Sequence, residues 1–175
     1  MPTFEYTFTV NAPLTAVSDF HHDTRALKTL TPPPIFAQIH YFDPMADGAI
    51  AEFTLWFGPL PVRWKAIHSH VGPNGFTDTQ ISGPLQSWQH THTFTAVSPA
   101  ATRIHEHITY SHHDGRRGLL SRLLFAQPGL LLLFTARQLI TRWHLELSPS
   151  RRQVTVGIAG LLAVAGGLAI WKRRQ

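Results

Sequence analysis

From residue 4 onward apolar and polar positions alternate, with Phe4, Tyr6, Phe8 and Val10 set between Glu5, Thr7 and Thr9. A period of two predicts a strand with one buried face. Asn11-Ala12-Pro13 then offers an asparagine cap and a proline early in a helix, and Val17, Phe20 and Leu27 continue at helical spacing to about Lys28. One or two short helices are expected there, stopped by Pro32-Pro33-Pro34, which remove donors and fix φ. Extended runs follow at 35–42, 49–57, 62–71, 75–82, 86–97 and 102–111, separated by Asp43-Pro44, Gly58-Pro59, Gly72-Pro73-Asn74-Gly75, Gly83-Pro84 and Ser98-Pro99. Residues 118–147, rich in leucine and arginine, predict a long helix kinked or interrupted near Pro128-Gly129.

Strand, short helices, more strands and a long helix make an α+β chain. Its expected form is a curved antiparallel sheet of about seven strands wrapped on the long C-terminal helix. A sheet curved in this way needs its concave face covered, and one helix lying across it leaves a hollow.

The pattern changes at residue 154. Residues 154–171 carry no charge over eighteen positions, which as a helix would extend roughly 27 Å and match the hydrocarbon core of a bilayer. Arg151 and Arg152 precede the segment and Trp171, Lys172, Arg173 and Arg174 close it, a placement typical of membrane interfaces. The expected organisation is a folded domain at 1–148, a basic linker at 149–153, a transmembrane helix at 154–171 and a short basic tail at 172–175. Basic residues on both flanks give no orientation. Residues 1–10 lack an apolar block behind a basic region, so the expectation is a tail-anchored, single-pass protein with a cytosolic domain. The sequence leaves open whether its membrane is the mitochondrial outer membrane, the peroxisome or the endoplasmic reticulum.

Composition narrows the chemistry. Of 175 residues 43% are apolar and 14% charged, which points to a packed core and away from disorder. The formal net charge of +5 would suit nucleic acid, but the arginines cluster around the two most apolar stretches, which fits a lipid bilayer better than a duplex. With no cysteine in the chain, disulfides, thiolate ligands and a cysteine nucleophile are excluded. Nucleophile motifs, phosphate loops and cofactor fingerprints are also missing from the sequence, and no cofactor is expected.

Three stretches carry a likeness to known proteins: the opening Phe8-Thr9-Val10-Asn11-Ala12-Pro13, then 76–85 (FTDTQISGPL), then 88–94 (WQHTHTF). Over residues 3–147 the chain resembles the SRPBCC or START-like superfamily, which includes polyketide cyclases and coenzyme Q-binding proteins. The resemblance implies a helix-grip fold around an internal cavity. It specifies fold better than ligand or reaction.

Period two places Trp88, His90, His92 and Phe94 on the inward face of their strand. Trp64 and His68 share such a face, as do Phe76, Asp78 and Gln80, and as do Ile104, Glu106, Ile108 and Tyr110. These thirteen residues are the expected lining for an amphipathic partner, a lipid, quinone or polyketide-like small molecule. His90, His92, Asp78 and Glu106 are also candidates for acid–base catalysis, since the pKa of a histidine beside a carboxylate in a dry cavity can be tuned toward neutrality. The pairs His68/His70, His90/His92 and His105/His107 have the spacing of metal ligands, and Glu106 or Asp78 would complete such a set. His105 and His107 should nevertheless face away from Glu106, and His21, His22, His112 and His113 are expected in loops, so no metal is expected. Membrane-tethered binding is the leading expectation, with a cyclase, dehydratase or hydrolase, or a membrane adaptor with a vestigial cavity, as alternatives. The sequence does not give the oligomeric state.

Overall fold

A computed structural model describes residues 1–147. The expected linker, transmembrane segment and tail at 149–175 lie outside the described residues. The elements are β1 (Thr3–Val10), α1 (Leu14–His22), α2 (Ala26–Leu30), β2 (Ile35–Phe42), β3 (Ile50–Phe57), β4 (Leu60–Gly72), β5 (Gly75–Ser82), β6 (Ser87–Ser98), β7 (Ala101–Ser111), α3 (Gly118–Leu124) and α4 (Gln127–Glu146). The strands form one antiparallel sheet in the order β1-β7-β6-β5-β4-β3-β2, a meander closed on one edge by the first strand.

Alternation does what it predicts in β1, where Phe4, Phe8 and Val10 are buried between exposed neighbours. In β4 the buried residues are Val62, Trp64, Ala66 and His68. Register shifts between Lys65 and Ala66, and again between Ser69 and Gly72, bend this long strand. His70 sits in the second irregularity at φ 54° and is exposed, so the spacing of His68 and His70 never becomes convergence.

Helix α4 lies over the concave face. Phe134 is buried against Phe4, with ring centroids 5.3 Å apart. Towards the other end the Arg142 Nη2 donates to the Thr9 carbonyl at 2.9 Å, and the Asn11 backbone N–H donates to Glu146 Oε1 at 2.8 Å. Asn11 is therefore not the cap of α1. Pro13 holds that position with no side-chain cap, and Asn11 ties β1 to the end of α4.

The break in the long helix falls at Phe125 and Ala126, before the Pro128-Gly129 pair. A proline ring collides with the carbonyl four residues earlier, and four residues before Pro128 is Leu124, the last residue of α3. Pro128 itself sits in the first turn of α4, where its missing N–H is not needed. The break turns Phe125 inward to meet Trp64 and Trp88 at ring-centroid distances of 5.7 and 6.0 Å. Within the described residues the stretch Gly115–Glu146 is long and apolar enough, by length and composition alone, to cross a membrane. Its Leu130 and Phe134 lie in the domain core.

Candidate functional site

The most polar part of the interior is built by three neighbouring strands. Asp78 on β5 lies directly opposite His90 on β6, and His92, two residues further on, lies opposite Glu106 on β7. The pleat therefore puts one carboxylate against each histidine on the same face. His90, His92 and Glu106 are buried and Asp78 is partly so.

Both rings bridge both acids. His90 Nε2 donates to Glu106 Oε2 at 2.8 Å, while its Nδ1 is 3.4 Å from Asp78 Oδ2. His92 Nε2 donates to Asp78 Oδ2 at 3.2 Å. Its Nδ1 lies 2.7 Å from Glu106 Oε2 but off the line of a hydrogen bond. The ring centroids of the two histidines are 3.9 Å apart. An ionised carboxylate only accepts, so the ring nitrogens must supply the protons.

The charges follow from the contacts. Burial would lower the pKa of His92, but Glu106 and then Asp78 push it up to about 9. Burial works against ionising Glu106 and Asp78, yet His92 and His90 hold both well below the usual carboxylate range. His21 behaves oppositely: burial pulls it down to about 4, and its Nδ1 is 2.8 Å from the Val17 carbonyl. The cluster is a compact buried ion group flanked by one neutral imidazole.

Beside it lies a cavity of about 140 Å³ between the sheet, α1, α2 and α4. Of the residues expected to line it, Trp64, His68, Phe76, Asp78, Trp88, His90 and His92 do. The other six are elsewhere. Glu106 stands behind the two histidines, and Phe94, Ile104, Ile108 and Tyr110 are packed into the core. Gln80 turns away because its Nε2 donates to the Leu85 carbonyl at 2.8 Å, fastening the 80–85 turn. His68 is fixed to the wall, with Nδ1 3.0 Å from the Ala49 carbonyl.

Other wall residues lie outside the expected set: Leu27 and Arg137 come from helices, Phe125 from the break between α3 and α4, and Phe53 from β3, where it shares a face with Ala51 and Leu55. Arg137 on α4 packs its guanidinium over the Phe134 ring at 5.3 Å, and its buried Nε has no hydrogen-bond partner among the described residues. His21, expected in a loop, is in the last turn of α1 and also lines the cavity. His112 does follow β7 into a connecting segment, where it meets Ser121 at 2.9 Å. His105 and His107 lie on the opposite face, His105 bonded to Thr7 at 2.8 Å.

The cluster Asp78, His90 and His92 offers one oxygen and two nitrogens within 4.8 Å of one another, which is the reach of a metal-binding set. Without a metal the same groups form a proton-bearing pair between two fixed carboxylates.

No protein-family model and no curated protein matches the chain. Solved structures do. A protein from Chromobacterium violaceum superposes with a TM-score of 0.68 at 13% identity, covering 85% of this chain and all of that one (100%). A START superfamily protein from Mycobacterium smegmatis gives 0.61 at 12% identity, covering 82% of this chain and 97% of that one. The Zhui aromatase/cyclase from a Streptomyces species gives 0.58 at 14% identity, covering 81% and 88%. With a seven-stranded antiparallel sheet gripping a long C-terminal helix, the described domain has the helix-grip fold of the SRPBCC or START-like type.

Proposed function

We propose that the domain binds a compact amphipathic small molecule, or one end of a longer one, in this cavity, and that the segment 154–171 holds it at a membrane. The observation that carries the reading is the two-ended lining. Trp64, Trp88, Phe53 and Phe125 make an apolar wall, and Asp78, His90, His92 and Arg137 gather at a polar end. Such a cavity orients a molecule with one hydrogen-bonding end and an apolar body. The Arg137 Nε, without a partner among the described residues, favours an oxygen acceptor on that end.

Size sets a limit. An apolar hole of about 150 Å³ accommodates one benzene ring, so a cavity of about 140 Å³ takes roughly one ring or a short chain. A larger ligand requires α4 to move where it begins, after the break at Phe125. Support for membrane proximity comes from the outer side of the same region, where Leu119, Leu123, Leu131 and Leu132 are exposed beside Arg116, Arg117 and Arg122.

Replacing Ala66, whose side chain faces the cavity, by tryptophan fills most of the space. Calorimetry with a graded series of aromatic and short-chain amphipaths is expected to show uptake by the unmodified chain and at least tenfold weaker uptake by Ala66→Trp with its circular dichroism unchanged. Equal uptake by both removes the cavity from the account and favours an adaptor acting through its surface.

An acid–base enzyme is the second reading, favoured by the ion group at the cavity wall and by the aromatase/cyclases among proteins of this fold. In that reading His92, whose contacts keep it charged, is the acid that protonates a bound carbonyl or leaving oxygen.

A further inference from the structure

We propose that Asp78, His90 and His92 form a site for one late first-row divalent cation of the zinc type, with Glu106 as its outer support. The site shares the cavity with the ligand reading but does not depend on it.

The two histidines each turn one nitrogen to Asp78 and the other to Glu106. On the Asp78 side, His90 Nδ1 and His92 Nε2 are 3.4 and 3.2 Å from Asp78 Oδ2. Three donors about 2.0–2.2 Å from a tetrahedral zinc ion are themselves a little over 3 Å apart; both contacts to Asp78 have that spacing, and the donor atoms all lie within 4.8 Å of one another. On the other side, His90 Nε2 and His92 Nδ1 both meet Glu106 Oε2, at 2.8 and 2.7 Å. A carboxylate on the far nitrogen of a ligating histidine is the usual outer partner of a zinc site, since it fixes the tautomer and the ring orientation. Here one carboxylate is hydrogen-bonded to His90 in this way and lies within contact distance of the far nitrogen of His92.

The access is right as well. Asp78, His90 and His92 line the cavity and Glu106 does not, so a cation on these three ligands would keep an open position facing the cavity. Three protein ligands and one open position is the arrangement of zinc sites that activate water or polarise a bound oxygen. Two nitrogens and one carboxylate oxygen suit zinc, cobalt(II) or iron(II) better than magnesium or calcium. Charge balances once the cation displaces the proton held by His92: two buried carboxylates facing two neutral imidazoles carry two negative charges, which one divalent cation offsets.

The ligands come from neighbouring strands, so the geometry does not rest on a loop. Asp78 is paired across the ladder with His90, and His92 with Glu106. The remaining histidine pairs do not compete, because His70 is turned out at the β4 irregularity and His105 and His107 lie on the outer face.

The test uses the full-length chain in detergent, stripped with a chelator and dialysed, with no organic ligand added. Titration with zinc alone is expected to give one tight equivalent per chain, and cobalt(II) to give the intense visible bands of a four- or five-coordinate ion. Glu106→Gln should weaken the equivalent by 10- to 100-fold, the range for outer-shell partners, and Asp78→Asn should weaken it further. His105→Ala should leave it unchanged. Absence of a tight equivalent, a cobalt spectrum no different from the hydrated ion, or tight binding that persists in a folded Asp78→Asn chain overturns the proposal. The cobalt spectrum of the unmodified chain decides the matter if a variant does not fold. A chain that takes up amphipaths but no metal contradicts this site alone, and one that takes up metal but no amphipath contradicts the ligand reading alone.

Discussion

Glu106→Ala is expected to cost about 3–5 kcal/mol of stability in the chelator-treated chain, the range for removing one partner of a buried ion pair. In a domain of this size that lowers the Tm by roughly 10 °C. The size of the effect comes from what is left behind. Glu106 is 4% exposed and meets both histidines, so its removal leaves a buried imidazolium at His92 facing only Asp78, together with a small cavity under the sheet. Thermal and urea unfolding of the two chains at pH 7 measure it. A loss below about 1 kcal/mol would mean that the ion group adds little to the fold and that its charges are relaxed by water.

The second large effect is a stability maximum near pH 6.5, again without metal. His92 is raised to about 9 in the folded domain from an ordinary 6.5. Its contribution is therefore fully present below pH 6.5 and lost as pH rises towards 9, a change on the order of 3 kcal/mol. His21 is lowered to about 4, so its contribution is present above pH 6.5 and lost as pH falls towards 4, by a similar amount. Glu106 and Asp78, both held below the usual range, add a further loss on the acid side. The groups around His92 are Asp78, Glu106 and His90 from the sheet and His21 and His22 from α1, with Arg137 of α4 near the two carboxylates. Tm measured from pH 4 to pH 9.5 is expected to rise and then fall. His92→Gln should remove most of the alkaline fall, and a flat profile above pH 7 contradicts the charged state of His92.

Much of this was legible in single strands. The alternation around Phe4, Trp64, Trp88 and Phe94 reports which face is buried, because a strand's period of two is set by its own backbone. What a strand does not report is its register. Glu106 and His92 were both expected to face inward, but that they stand directly opposite one another, and that Glu106 is hidden behind the histidines, depends on how β6 pairs with β7. Irregularities are equally silent. The bulge in β4 sends His70 outward, and the Gln80 side chain prefers the Leu85 backbone to the cavity.

Helical residues were the hardest to read. In the leucine-rich stretch after residue 118, Arg137 and Phe125 look no different from their neighbours. The proline rule would have located the break at Leu124, four residues before Pro128, and so pointed to Phe125 as a residue freed from the helix. Nothing in the segment marks where one short helix gives way to the next, and α1 in fact runs through His21 to His22.

The most direct test of the account is native mass spectrometry of the full-length chain, released from detergent after incubation with a membrane extract, beside the Ala66→Trp chain. A single small molecule bound one to one by the unmodified chain and lost from the filled one is the predicted result, and its mass names the ligand class. A chain that emerges empty from every extract, or that carries the same adduct with its cavity filled, contradicts the claim that this interior exists to hold a ligand.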